Sequence, residues 1–189
     1  MELPLKLIAG LERIGEVFKT LLWQKAKVHG ISPIQIQILL FISKHSTHLC
    51  NVSCLAKEFN LTKPTISDAV KILVEKTYLI KDYSPTDSRR FNLLLSTAGE
   101  KLVAELLDYS LPISTEIEKM DKAELENCFN TISKLIYQMN QKGIIQVQRT
   151  CYGCKHYNGN KKDQHFCTLL DKKLKRQEIR IDCAEFVEQ

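Results

Sequence analysis

No apolar run in this 189-residue chain approaches the ~20 residues that a membrane-spanning helix requires. The opening stretch MELPLKLIAGLERIGEVF is amphipathic and lacks the small-residue cleavage site of a secretory leader. The expected location is therefore the cytoplasm, with no membrane partner. No nucleophile–base pair, glycine-rich phosphate loop or paired-acid motif stands out, so an enzyme is not expected. Internal repeats and low-complexity segments are also missing. Charge imbalance is slight: the net charge is +5, and residues 1–141 hold 17 basic against 16 acidic side chains. The surplus lies in residues 142–189, with 10 basic and 6 acidic. Such mild basicity is compatible with a nucleic-acid partner without requiring one.

What is present begins with a hydrophobic content of 44%, enough for a real core, in a chain long enough for one medium domain and an appendage. The seven cysteines, in a chain read as cytoplasmic, argue for metal or free thiols rather than disulfides. Four of them fall in the last 39 residues.

The stretch 61–96 organises the rest. Thr62 caps a helix over 62–76 whose first turn holds Pro64, where a missing N–H costs nothing. Ile66, Val70 and Leu73 recur at helical spacing and form its buried face. Lys63, Pro64, Thr65, Ser67, Asp68 and Lys71 remain available on the rest of the surface. Tyr78, Leu79 and Ile80 then read as a strand, 82–90 as a charged loop carrying Arg89 and Arg90, and 91–95 as the return strand. A polar helix face beside a basic hairpin suits the major groove and the neighbouring backbone of DNA. The pattern is a winged helix-turn-helix.

Around this unit the chain reads as mainly helical. Residues 3–29 form a long helix in which Leu7, Leu11, Ile14, Phe18 and Leu21 make an apolar stripe, either core-facing or packed on a second subunit. Gly30 stops it. Ser32, Pro33 and Gln35 start a helix that runs to about Lys44. Asn51 caps a short helix with Leu55, Ala56 and Phe59 inward. After the wing, a further helical region spans 97–142. Pro112 interrupts it, a capping box at Asp121 and Glu124 restarts it, and Gly143 ends it. Its last helix has the clearest apolar periodicity in the chain, with Cys128 on that face as a core residue. These stripes exceed what one small winged-helix core can cover, so a homodimer is expected.

The run CLAKEFNLTKPTISDAVKILVEKTYLI through SPTDSRRFNLLLSTAGEKL resembles the MarR family of bacterial transcriptional regulators. It carries Leu55-Ala56, then Thr62 and Thr65-Ile66-Ser67 in the recognition helix. Asp87-Ser88-Arg89 follow in the wing, and Leu95-Ser96-Thr97-Ala98-Gly99 at the restart. The resemblance covers residues 1–143 and implies an obligate homodimer with intertwined terminal helices. It further implies binding to palindromic promoter DNA, usually repression, and relief by a small phenolic or lipophilic effector or by cysteine oxidation. Ser88 stands where many members have an arginine, which leaves the wing charge to Arg89 and Arg90. Asp68 places a negative charge on the reading face, able to accept from a cytosine amino group or to repel phosphate. Cys50 and Cys54 flank a helix start, where a thiol is acidified, and are the candidates for an oxidant sensor.

The tail, 144–189, reads as a cysteine-rich appendage. Cys151, Cys154, Cys167 and Cys183 follow a C-x2-C-x12-C-x15-C pattern. Two residues between the first pair let both thiolates meet one metal, and a segment with few large apolar side chains is aptly held by a metal crosslink. Structural zinc is the first expectation, a [4Fe–4S] cluster the second, disulfides or free thiols the third. Tyr157 and Phe186, each three positions after a cysteine, can shield a cluster, and His156 and His165 are spare ligands. The expected architecture is α+β and mainly helical, with long dimerisation helices at 3–29 and 97–142, a reading unit at 31–96 and the metal-binding tail. Two rival functions remain: a winged helix that binds protein, and a redox or iron–sulfur sensor acting through the tail.

Overall fold

A computed structural model of the chain describes residues 2–84, 87–160 and 164–189, without the side chains of residues 84, 87–90 and 160. It has seven α-helices and two small antiparallel sheets among the described residues, a helix-rich α+β winged-helix architecture. None of these helices is long and apolar enough to cross a membrane. Two compact units result: Met1–Leu55 with Thr62–Glu116, and Ala56–Leu61 with Ile117–Gln189.

In the first unit, α1 (Leu3–His29) ends at Gly30, whose φ of 61° places it in the left-handed region that glycine adopts without strain. Helix α2 (Pro33–Lys44) starts with the expected capping box between Ser32 and Gln35. It is the hub of the unit, packing on α1, α4, the wing and α5. Gln35, Ile36 and Ile38 through Ile42 are all buried, so α2 is covered on nearly every side rather than along one stripe. Helix α3 (Val52–Glu58) precedes α4 (Lys63–Glu75), which Thr62 caps by accepting a hydrogen bond from the Thr65 amide. Ile66, Ala69, Val70 and Leu73 bury the inner face of α4.

The wing is longer than the sequence reading gave it. Strands β1 (Leu79–Ser84) and β2 (Asp87–Leu95) pair from Leu79↔Leu95 through Tyr83↔Phe91, with an irregularity between Tyr83 and Ser84. Most of the expected loop at 82–90 is therefore strand, and its turn residues Pro85 and Thr86 lie outside the described residues. Polar composition suggested a loop. The hairpin's cohesion comes from cross-strand contacts: the Tyr83 and Phe91 rings meet edge-on at 5.6 Å, and the Lys81 ammonium sits 4.7 Å above Phe91.

Ser96 then caps α5 (Thr97–Leu106) by accepting from the Gly99 amide. Gly99 is obligatory at this junction, because a Cβ there would lie 2.1 Å from the Tyr78 carbonyl oxygen. The helical region over 97–142 is interrupted near Pro112 and restarted at Asp121 as expected, and comprises three helices. A 3-10 turn (Leu107–Ser110) breaks it before Pro112, which sits in the first turn of α6 (Leu111–Ile117).

The second unit contains α7 (Lys122–Gln141), started by the Asp121–Glu124 capping box, and the tail. The tail folds into a sheet of order β3-β4-β5: β3 (Tyr157–Asn160), β4 (Gln164–Cys167) and β5 (Lys172–Leu174). No residue of α7 is fully buried. Cys128, read as a core residue from its position on the apolar face, is exposed. Periodicity located the face, but among the described residues none of its side chains is fully buried.

Candidate functional site

On α4 the structure separates the two faces cleanly. Lys63, Pro64, Thr65, Ser67, Asp68 and Lys71 are exposed, all on the surface opposite Ile66, Val70 and Leu73. The helix is fixed from behind by a buried hydrogen bond in which the Gln35 side-chain amide donates to the Ala69 carbonyl at 3.3 Å. This brace links α2 to α4 across 34 residues, and periodicity gave no sign of it. Among the exposed side chains, Lys71 lies 3.9 Å from Glu75, a solvent-screened pair of little energetic weight. The backbones of Arg89 and Arg90 belong to β2, while their side chains lie outside the described residues.

The sensor candidates differ from expectation. Cys50 precedes α3 and is buried, with its thiol directed at the His45 and Ser46 carbonyls. Burial, with Cys54 nearby, pushes the thiol up to about 11, the opposite of an activated thiolate. The apolar surroundings outweigh any helix-terminus effect. Cys54 is half-buried and accepts from the Asn51 side-chain amide.

In the second unit, Cys151, Cys154, Cys167 and Cys183 line one cavity of about 40 Å³ together with His156, Tyr157, Leu174, Glu178 and Glu185. Among the described residues no three His, Cys, Asp or Glu side chains converge closely enough to hold a single metal ion. Two sulfurs accept from one residue: the Arg180 amide reaches Cys151 Sγ at 3.3 Å and its guanidinium reaches Cys183 Sγ at 3.5 Å. Burial raises the Cys151 thiol above its ordinary value. The Arg180 N–H opposes that shift, and the three other thiols reinforce it. The Tyr157 hydroxyl is pushed up to about 12, chiefly by burial, and hydrogen-bonds His165 Nδ1, which occupies one of the spare histidines.

The residue that sequence reading missed is Arg149. It is buried, and it bridges Glu58 at 2.7 Å and Asp182 at 2.8 Å, while its carbonyl accepts from the Cys183 amide. Its side-chain partners lie 91 and 33 residues away, beyond any local pattern.

The fold and the polar-faced helix beside a hairpin define a winged-helix protein. The family model described as MarR family matches residues 29–90. Among solved structures, the Staphylococcus aureus MepR–DNA complex is 23% identical, with 68% of this chain and 94% of that one covered at a TM-score of 0.59. A MarR/EmrR family transcriptional regulator from an Acinetobacter species is 21% identical, with coverage of 75% and 99% and a TM-score of 0.60. A MarR transcriptional regulator from Methanosarcina mazei is 20% identical, with coverage of 72% and 95% and a TM-score of 0.57. At these identities the likeness is one of fold. A comparison with curated proteins found no match.

Proposed function

We propose that this chain is a MarR-type, DNA-binding transcriptional regulator that acts as a homodimer, repressing from palindromic promoter DNA. The observation that carries the reading is the exposed polar face of α4 beside the β1–β2 hairpin, both within or adjoining the segment matched by the family model. Structural relatives described as transcription regulators, one of them solved on DNA, support it. In this reading the N-terminal turns of α4 lie in the major groove. Lys63 and Lys71 neutralise phosphate, Thr65 and Ser67 offer hydroxyls to base edges, and Asp68 accepts from a cytosine amino group. Arg89 and Arg90 supply the wing with charge for the backbone or the minor groove.

The homodimer follows from α1. Leu7, Leu11 and Ile14 each remain at least half exposed in the protomer, an apolar row that a two-fold partner would cover. Two α4 helices related by such an axis would read half-sites one helical turn apart, about 34–36 Å.

The test is selection of binding sites from random duplexes, followed by shift assays across salt concentration. A two-fold consensus is the expected result. Arg89→Ala is expected to weaken specific and nonspecific binding alike and to reduce the salt slope by about 1. Tight, salt-insensitive or absent DNA binding would overturn the reading in favour of a protein-binding winged helix. The near balance of charge in residues 1–141 favours that alternative.

A further inference from the structure

Two of the few buried residues of the tail are cysteines, Cys151 and Cys154. The tail's other buried residues, among those described, are Arg149, Thr150 and Ile179. One fully buried aliphatic side chain contributes ~1.5–3 kcal/mol, far short of what ordering a segment of this length costs. Yet the backbone holds all four cysteines in defined places by hydrogen bonds from separate segments. The Cys151 amide donates to the Arg180 carbonyl, Cys154 forms an isolated antiparallel bridge with Glu188, and the Cys183 amide donates to the Arg149 carbonyl. Cys167 closes β4, paired with Tyr157 on one side and Lys172 on the other. These long-range constraints direct four sequence-distant sulfurs to one cavity.

We propose that Cys151, Cys154, Cys167 and Cys183 ligate a [4Fe–4S] cluster in the cavity they line. Three features select this group among the centres that four thiolates serve. The first is size. A zinc ion draws four sulfurs to about 2.3 Å from a single point. Here the sulfurs stand around a cavity of about 40 Å³, several times the ~10–15 Å³ that a single water needs, without three ligating side chains converging on one ion among the described residues. The second is the lining. Tyr157, Leu169, Leu170 and Leu174 contribute apolar surface, and the Phe186 ring lies against the turn at Gly153 between the first two cysteines. Leu169 and Leu170 are half exposed and Glu178 and Glu185 share the lining, so this shell covers the cavity in part. The third is polarity. Arg180 directs its amide and its guanidinium at two of the sulfurs, and N–H···S bonds stabilise thiolate ligands of a cluster. The surplus of basic side chains over residues 142–189 complements a centre that is anionic once four thiolates are counted.

The experiment uses the full chain, expressed with iron supplied and purified without air, with iron, acid-labile sulfide and zinc measured per chain. About four iron and four sulfide per chain, with broad visible absorption, is the expected result. Apo-protein offered ferrous iron and sulfide together with equimolar zinc is expected to rebuild the same absorption. Cys167→Ser and Cys183→Ser should each reduce the iron content to below one atom per chain. Cys128→Ser, outside the cavity, should retain all of it. Stoichiometric zinc without iron overturns the proposal, as does a chain that stays metal-free with four titratable tail thiols after reconstitution. Full iron content in both Cys167→Ser and Cys183→Ser would overturn it too.

Discussion

Replacing Leu11 with Glu perturbs the proposed dimer while sparing the protomer. Leu11 lies on α1 with Leu7 four residues before it and Ile14 three after it, on one helical face. In the protomer it is 53% exposed, so its fold contribution is small, whereas α1 is anchored to the first unit further along by buried Leu22 and Ala26. Full burial of a leucine contributes ~1.5–3 kcal/mol, and covering the remaining half contributes about 1 kcal/mol per protomer. A two-fold interface counts the loss twice. A carboxylate left in the apolar contact without a partner adds about 1–2 kcal/mol on each side. The sum is roughly 4–6 kcal/mol, and tenfold in affinity per ~1.4 kcal/mol makes the dimer weaker by about a thousandfold or more. Sedimentation at micromolar concentration should show the parent at twice the 21.7 kDa chain mass and Leu11→Glu at the chain mass, with unchanged helical circular dichroism. The two-fold consensus should be lost together with the dimer. A Leu11→Glu protein that sediments as a dimer and binds its operator as before would refute the assignment of α1 to the interface.

Three further outcomes follow from particular contacts. Arg149→Ala leaves the carboxylates of Glu58 and Asp182 without this guanidinium. Breaking a buried pair typically costs ~3–5 kcal/mol, and because the Asp182 side chain is 49% exposed about 2 kcal/mol is expected here, read as faster hydrogen exchange at the Cys183 amide. Gly99→Ala drives a methyl group into the Tyr78 carbonyl. The wing–α5 junction must shift, at a cost of at least ~1–3 kcal/mol, seen as a lowered denaturation midpoint. The Cys50 thiol, held above its ordinary value of 9.0 at about 11, should react with a disulfide reagent more slowly than exposed Cys128 at pH 8. Because the folded-state value is the higher one, its contribution to stability is complete below pH 9 and disappears as pH rises toward 11, which alkaline unfolding curves of Cys50→Ala would reveal by a flatter decline.

Element boundaries were legible where the signal is local. Ser32 with Gln35, Thr62 with Thr65, Ser96 with Gly99 and Asp121 with Glu124 each act within three residues, and each marked a helix start in the sequence and in the structure. The α4 face was legible for the same reason, since a 3.6-residue period sorts Ile66 and Val70 from Thr65 and Lys71 without reference to the rest of the chain. Length of strand was not. The outer wing has Lys81, Asp82 and Tyr83 in succession, a composition that reads as loop because it lacks the apolar–polar alternation of a half-buried strand. Arg149 was illegible altogether, since nothing near it in the chain announces partners at Glu58 and Asp182.

The misplaced Cys128 and the ambiguous α1 stripe have one physical origin. An apolar period states that a helix face must be covered, and does not state which polypeptide covers it. On α1 the rule is met inside the protomer only near Leu22 and Ala26, while Leu7, Leu11 and Ile14 remain open to solvent. On α7 it is met nowhere completely: Ile132 and Leu135 are exposed, and Leu125, Phe129, Ile136 and Met139 are only half-buried. The helices of the reading unit behave differently. Ile36, Leu39, Ile66 and Leu73 are fully enclosed by neighbours in the same unit. The chain thus satisfies its apolar faces where α2 and α4 position the reading surface and leaves them unsatisfied on its longest helices. That distribution accords with the proposed two-fold assembly, in which the free energy of covering the terminal helices would also fix the distance between two α4 helices.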